Sequence, residues 1–132
     1  MKKILCTLLA VGFSSLAAMA QTKPVESVKI STPTMQCEMC KSRIEQYLKR
    51  IDGVTYVNVA VRKKETAVKY LTDRTNIEMI KTSIANAGYD VAQPKTDPAA
   101  AAVIEIAANP DSYKLLPKCC KKPEDGGGMP KQ

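Results

Sequence analysis

Four cysteines in two close pairs, Cys37/Cys40 and Cys119/Cys120, are the residues of this 132-residue chain best suited to chemistry. The chain has no histidine. Thiolate sulfur is a soft ligand that favours Cu(I) and, less exclusively, Zn(II) and other soft ions. Structural Zn(II) usually takes four ligands, whereas Cu(I) accepts two sulfurs. The Cys-x-x-Cys pair therefore predicts a soft-metal site at Cys37 and Cys40, with Cu(I) first and Hg(II), Zn(II) or Cd(II) behind it.

The first twenty residues have the three-part pattern of a secretory signal peptide. Lys2 and Lys3 precede an apolar run from Ile4 to Phe13, and Ala18-Met19-Ala20 is a small-x-small cleavage site. The apolar run is shorter than the ~20 residues that a transmembrane helix needs. We expect cleavage after Ala20, loss of Cys6 with the signal, a periplasmic or secreted location, and no stable membrane insertion afterwards.

A disulfide is the competing interpretation of Cys37 and Cys40, because an even number of cysteines is typical of exported proteins. A dithiol at the start of a helix is also what thiol-disulfide exchange enzymes display. The chain has no tryptophan, however, and no X-Pro pair between its second predicted helix and last predicted strand to supply the cis-proline of those enzymes. We therefore expect a non-enzymatic metal-binding protein and keep a periplasmic thiol-disulfide exchange protein as the alternative.

The second pair, Cys119 and Cys120, allows three interpretations. Adjacent cysteines form a disulfide with each other only under strain, and three flanking lysines predict thiols with a lowered pKa. The pair is a second soft-metal site, an arm that completes a three- or four-sulfur site with Cys37 and Cys40, or a link to another chain. We favour a metal role.

The elements that position the first pair follow from hydrophobic periodicity. Val25 to Ser31 alternates like a strand, and Glu38 to Ile51 has the apolar spacing of an amphipathic helix that ends at Asp52-Gly53. Cys37 and Cys40 therefore lie where a helix begins. The unpaired N–H groups and the helix dipole at that end favour the thiolate form that binds metal.

The next residues continue the alternation of strands and helices. Val54 to Val61 and Thr66 to Thr72 form a predicted hairpin, Asn76 to Ala87 a second amphipathic helix, and Tyr89 to Ala92 a closing edge strand. With right-handed crossovers, this βαββαβ order predicts an α+β, ferredoxin-like sandwich. Such a sandwich has four antiparallel strands and both helices on one face.

This sequence resembles the heavy-metal-associated domain family, which includes small copper chaperones, periplasmic mercury-binding proteins and N-terminal modules of metal-pumping ATPases. The resemblance covers roughly residues 25–92 and is carried by Met35-x-Cys37-x-x-Cys40, by Gly53-Val54 with the alternating valines after it, and by Ala87-Gly88-Tyr89-Asp90-Val91.

The resemblance implies that Cys37 and Cys40 are the ligands, Met35 a buried loop anchor and Tyr89 an aromatic near the metal loop. It also implies a metal-transporting or metal-accepting protein as partner. Met39, which lies between the cysteines where the family usually has small or polar residues, is interpreted as solvent-facing.

The expected organisation is a signal peptide at 1–20, a heavy-metal-associated domain at 21–93, a linker and short helix at 94–117, and a Lys/Pro/Gly-rich tail at 118–132. The alanine-rich stretch after Asp97-Pro98 predicts a helix over Ala99 to Ala108. The tail is expected to be flexible and disordered. Before it, Tyr113, Leu115 and Leu116 form an apolar cluster that we expect to dock onto the domain.

The charge of the chain allows a few kinds of partner. The formal net charge is +7, and it falls to +5 when Lys2 and Lys3 leave with the signal. Nucleic acid is a poor candidate, because export separates the two and few aromatic residues are present to stack on bases. We interpret the lysines as a solvated surface, with an acidic docking partner as the second choice.

Overall fold

The computed structural model describes residues 24–94 and 102–128. In chain order the elements are β1 Val25–Ser31, α1 Glu38–Lys49, β2 Val54–Ala60, β3 Glu65–Leu71, α2 Ile77–Asn86, β4 Val91–Ala92, β5 Ile104–Ile106 and α3 Pro110–Lys114. Two short 3-10 turns follow, at Lys118–Cys120 and Pro123–Asp125. Within the described residues, no helix is long and apolar enough to cross a membrane.

The strands form one antiparallel sheet in the order β2-β3-β1-β4-β5. β1 pairs with β3 along its whole length, from Val25 opposite Leu71 to Ser31 opposite Glu65. Every second residue of β3 is buried, namely Thr66, Val68 and Tyr70. This alternation confirms the predicted hairpin with one buried side.

Both long helices bury a stripe of apolar residues in one core. Cys40, Ile44 and Leu48 of α1 are fully buried, and so are Ile80 and Ile84 of α2. Burial of each large aliphatic side chain contributes about 1.5–3 kcal/mol to stability. The predicted helices are therefore confirmed, and their apolar stripes explain why they pack against the sheet.

The ferredoxin-like fold is confirmed, with one additional strand at the sheet edge. β4 has only two residues, and it pairs with β1 through Ala92 and Ser31. On its other side, Val91 pairs with Ile106 of β5. A strand that leaves backbone groups unpaired at an edge is readily extended by another strand, which accounts for the fifth strand that periodicity did not predict.

The helix predicted over Ala99 to Ala108 is wrong in the part that the structure describes. Residues 104–106 form β5, and the short helix α3 begins only at Pro110. Asn109 caps α3, because its side-chain oxygen accepts hydrogen bonds from the N–H groups of Asp111 and Ser112. Alanine propensity is a weak preference that pairing with a sheet edge overrides. The rest of the predicted helix, residues 99–101, lies outside the described residues, as does the predicted signal peptide.

The prediction of a disordered tail is also wrong for residues 118–128. This segment forms the two 3-10 turns, and Cys120 in the first of them is 1% exposed. Leu116 is buried and Tyr113 is partly buried against the core, as the docking interpretation expected, but Leu115 is exposed. We call residues 102–128 the C-terminal arm. Residues 129–132 lie outside the described part of the chain.

Candidate metal centre

The loop between β1 and α1 places the first cysteine pair. The Met35 side chain is fully buried beneath this loop, as expected of an anchor. The Thr34 hydroxyl accepts a hydrogen bond from the Asp90 N–H at 2.9 Å, which ties the loop to the end of α2. Cys37 is the N-cap residue of α1 in extended backbone conformation, and Cys40 follows in the first turn. The helix therefore begins with its free N–H groups next to both thiols.

The Sγ atoms of Cys37 and Cys40 are 3.3 Å apart. Both side chains are buried, with Cys37 7% exposed and Cys40 fully enclosed. Among the described residues both are free thiols. Two adjacent thiols at a helix N terminus can act as a bidentate soft-metal ligand or as a redox pair.

The C-terminal arm brings the second cysteine pair to the first. The Sγ of Cys120 is 2.8 Å from that of Cys40 and 3.5 Å from that of Cys37. Cys119 is partly exposed, and its Sγ is 3.3 Å from that of Cys37. The structure thus gathers all four candidate residues, and the sulfurs of Cys37, Cys40 and Cys120 lie within 4.8 Å of one another.

Met39 lies at the outer rim of this sulfur cluster. Its side chain is 56% exposed, in line with the solvent-facing interpretation. Its thioether sulfur is nevertheless 3.6 Å from the Sγ of Cys119. The sulfurs therefore run from the buried Cys40 and Cys120 through Cys37 to the surface at Cys119 and Met39.

The geometry suits a soft ion that draws the sulfurs slightly apart. Zinc–thiolate bonds of about 2.3 Å separate the sulfurs of a tetrahedral site by about 3.8 Å. The contacts from Cys120 to Cys40 and Cys37 are 2.8 and 3.5 Å, so an ion would need outward movements of roughly 0.3–1 Å. Side-chain rotation is sufficient for movements of that size.

The thiols of Cys37, Cys119 and Cys120 differ in acidity. Burial opposes ionisation of Cys37, but the backbone N–H of Cys40 and the thiols of Cys40, Cys119 and Cys120 stabilise its thiolate and lower its pKa to about 7. Contact with Cys37 raises the pKa of Cys119, and burial raises the pKa of Cys120. Of these three thiols, Cys37 therefore ionises first.

The expectation that flanking lysines lower the pKa of Cys119 and Cys120 is wrong. The ammonium group of Lys122 forms an ion pair with the carboxylate of Asp90 at 3.1 Å. Burial and the neighbouring thiols outweigh the remaining positive charge, because a buried thiolate loses its hydration.

Tyr89 lies beside the sulfurs, as the sequence predicts. The side chain is fully buried, and its hydroxyl has no hydrogen-bond partner among the described residues. Burial, followed by the proximity of Cys120 and Cys40, raises the pKa of Tyr89 well above its ordinary value. The hydroxyl remains neutral and contributes a dipole to the inner wall of the site.

Polar contacts between distant segments hold the arm beside the site. Gln36 donates a side-chain hydrogen bond to the Lys121 carbonyl at 2.7 Å, and the Lys122 N–H donates to the Tyr113 hydroxyl at 2.8 Å. Asp90 accepts from the Ala108 N–H at 2.8 Å in addition to its ion pair. These contacts were not predicted from the sequence, because no local pattern relates partners that lie far apart along the chain.

Residues 29–90 match the family model for the heavy-metal-associated domain. Over 81 residues the chain is 30% identical to the mercuric transport protein periplasmic component of Shigella flexneri, an alignment that covers 58% of this chain and 89% of that protein. The chain belongs to the heavy-metal-associated domain family.

Other members are similar over shorter stretches. A copper-exporting P-type ATPase of Staphylococcus aureus (strain Newman) is 35% identical over 66 residues, which is 50% of this chain and 8% of the ATPase. The crystal structure of oxidized MerP from Ralstonia metallidurans CH34 shares the fold, with a TM-score of 0.52 and 22% identity. The match covers 55% of this chain and all of that one.

The match to the heavy-metal-associated domain includes Cys37, Cys40 and Tyr89 and ends at residue 90. The C-terminal arm, which brings Cys119 and Cys120 to the sulfur cluster, lies beyond that boundary. The first cysteine pair therefore lies inside the matched domain, and the C-terminal arm lies outside it.

Proposed function

We propose that this protein is an exported, non-enzymatic carrier that binds one Cu(I) ion through Cys37 and Cys40. The observation that supports this most strongly is the pair of buried thiols, 3.3 Å apart at the start of α1, in a heavy-metal-associated domain. The lowered pKa of Cys37, about 7, supplies thiolate near neutral pH. Hg(II), Zn(II) and Cd(II) rank behind Cu(I) as cargo.

Delivery to, or collection from, a metal-transporting protein is the role that we propose for the bound ion. Among the relatives are a copper-exporting ATPase and a periplasmic component of mercuric transport. Thiolate ligands exchange readily because an incoming thiolate can bind Cu(I) before the outgoing one leaves. No oxidation or reduction is needed for this step, so the ion passes between proteins as Cu(I).

The location that we propose is the periplasm or the extracellular space. The support is the signal-peptide pattern in residues 1–20 and the description of one relative as a periplasmic component. In a Gram-negative host, fractionation should place the protein in the periplasm, with Gln21 as its N-terminal residue. Retention of Met1 on the fractionated protein would contradict export by cleavage.

The metal-binding proposal is tested by titrating the reduced protein with Cu(I) against a chromogenic Cu(I) chelator. We expect one Cu(I) per chain, and loss of binding in the double variant Cys37→Ser/Cys40→Ser. Ser42→Ala, on the exposed face of α1, is the matched control and should bind as the unchanged protein does. Equal affinity in the double variant would refute the proposed site.

Thiol-disulfide exchange is the second candidate, favoured by the acidic Cys37 thiol in contact with three other thiols. A thiolate with a pKa near ambient pH is an effective attacking group in such exchange. Catalysed reduction of a disulfide substrate, without measurable Cu(I) binding, would favour this candidate. Native mass spectrometry with Cu(I), Hg(II), Zn(II) and Cd(II) in competition would identify the preferred ion.

A further inference from the structure

We propose that the C-terminal arm is a built-in cap whose Cys120 supplies a third thiolate to the ion held by Cys37 and Cys40. This inference rests on the proposed function of that pair. The arm lies outside the part of the chain that matches the family model, so the family match does not account for its contribution to the site. Its consequence is a closed, three-coordinate site in place of an open, two-coordinate one.

The positions of the sulfurs are the first argument. Cys37, Cys40 and Cys120 form a triangle with edges of 3.3, 3.5 and 2.8 Å between their Sγ atoms. A trigonal ion with metal–sulfur bonds of about 2.3 Å would hold three sulfurs about 4.0 Å apart. An ion at the centre of this triangle therefore requires each sulfur to move outward by less than about 1 Å.

Cys119 and Cys120 differ in burial, and this difference indicates which of them is the ligand. Cys120 is 1% exposed and faces the enclosed Cys40, whereas Cys119 is partly exposed at the rim beside Met39. Cys119 is not part of the group of three sulfurs that lie within 4.8 Å of one another. Cys120 is accordingly the ligand and Cys119 a neighbour that stays outside the coordination sphere.

The second argument is that the arm is held by specific polar contacts. Asp90, whose side chain is 9% exposed, forms an ion pair with Lys122 at 3.1 Å, two residues beyond Cys120. Gln36, next to Cys37, donates to the carbonyl of Lys121 at 2.7 Å. The residue before Cys37 therefore binds the residue after Cys120, and Asp90 holds the next residue of the arm, so the two cysteine segments are aligned before an ion arrives.

An apolar contact completes the attachment of the arm. Leu116 is 4% exposed and packs over Gly88, where an added Cβ would lie 3.3 Å from two carbons of the leucine side chain. Gly88 also has a φ of +102°, a conformation that other residues rarely adopt. The backbone at Gly88 thus ends α2 and provides the surface that receives the arm.

Closure by the arm changes how the ion leaves. An incoming thiolate forms its bond to Cu(I) as the bond from Cys120 breaks, and the Cys120 thiolate takes up a proton from water. The ion remains Cu(I) throughout, and the number of bonds to sulfur is conserved. Release should therefore be slow while the arm is closed and fast once the contacts of Asp90 with Lys122 are broken.

The test uses X-ray absorption at the copper edge of the Cu(I)-loaded full chain. We expect three sulfur neighbours in the unchanged protein, two in Cys120→Ser, and three in the matched control Cys119→Ser. Two sulfurs in the unchanged protein, or three in Cys120→Ser, would overturn the cap. Circular dichroism of each variant checks that the domain remains folded.

A second measurement does not depend on replacing a ligand. The rate of Cu(I) removal by a chelator should rise about tenfold in Asp90→Asn, since residues that position a ligand typically change metal affinity by 10–100-fold. Asp111→Asn, which alters an exposed ion pair with Lys114, is the control and should leave the rate unchanged. Equal rates in Asp90→Asn and the unchanged protein would contradict the cap.

The two proposals fail in different ways. Binding of Cu(I) by two sulfurs, abolished in Cys37→Ser/Cys40→Ser, would refute the cap and leave the proposed function standing. Absence of Cu(I) binding by the unchanged protein would refute both.

Discussion

The domain in residues 24–92 and the C-terminal arm are held together by different kinds of contact. The domain has long paired strands and two helices that bury continuous apolar stripes. The arm has a three-residue strand, a five-residue helix and two turns. It is attached by the pairing of β5 with β4, by the buried side chains of Leu116 and Cys120, and by several polar contacts. Both nevertheless contribute sulfur to the same cluster.

Because of this difference, we expect the segment that carries Cys119 and Cys120 to be less stable than the one that carries Cys37 and Cys40. Segments with few buried apolar contacts open at a lower free energy than the core of a domain. The arm can therefore separate from the domain while Cys37 and Cys40 keep their positions. A cluster built in this way combines a rigid pair of thiols with a removable pair.

We expect the largest effect on the free energy of unfolding when the same substitution, leucine to alanine, is made in the domain and in the arm. Leu48 and Leu116 are both buried, but Leu48 lies in the centre of α1 and Leu116 in the arm. Leu48→Ala should lower the free energy of unfolding by about 2–5 kcal/mol. Leu116→Ala should lower it by no more than about 1 kcal/mol, because the arm opens locally.

Urea denaturation followed by circular dichroism measures both losses, and hydrogen exchange read by mass spectrometry locates them. Exchange in Leu116→Ala should accelerate in the arm and remain slow in α1 and β3. An equal loss of global stability in the two variants would show that the arm and the domain unfold as one unit.

Alanine substitutions at two glycines, one in the domain and one beneath the arm, should cause a smaller loss of stability. Gly53 and Gly88 have φ values of +96° and +102°, so alanine at either position should cost about 1–3 kcal/mol of backbone strain. At Gly88 the new Cβ would also press on Leu116, whereas at Gly53 it would meet Arg74 within the domain.

Both variants should therefore lower the denaturation midpoint, but only Gly88→Ala should increase hydrogen exchange in the arm. Gly53→Ala is the control for backbone strain combined with a steric contact inside the domain, since its Cβ would lie 2.7 Å from that of Arg74. Arm exchange that increases equally in both would argue against Gly88 as the surface on which the arm sits.

We expect the smallest effect in the pH dependence of the free energy of unfolding. The pKa of Cys37 is about 7 in the folded protein, against an ordinary value of about 9. Between these values the unfolded chain binds more protons, so the free energy of unfolding of the reduced, metal-free protein should rise with pH, by on the order of 1–2 kcal/mol. This stabilisation is lost as the pH falls through 7. The arm thiols, whose pKa values are raised, act in the opposite direction at higher pH.

The test is to measure denaturation midpoints at several pH values from about 6.5 to about 9. This pH range spans the pKa of Cys37, which is about 7. Cys37→Ser should flatten the profile, while Cys119→Ser should keep its rise. A profile that rises equally in Cys37→Ser would assign the dependence to another group.

Local sequence patterns were sufficient for the domain. The spacing of Cys40, Ile44 and Leu48 predicted the buried face of α1, and the alternation of Val68 with Tyr70 predicted the buried face of β3. Each of these elements carries its own period, and burial of one face is enough to specify it. The same reasoning failed at residues 104–106, where the edge of β4 decides the conformation.

Local periodicity and short motifs were enough to predict the family, the fold of the domain and the position of Cys37 and Cys40 at the start of α1. The contact of Cys120 with Cys40, 80 residues earlier in the chain, became visible only in the folded structure. It depends on long-range contacts that place the arm, including Asp90 with Lys122 and Leu116 with Gly88. Such contacts leave no periodic signal, so four cysteines that are two separate pairs in the sequence become one cluster only in the folded protein.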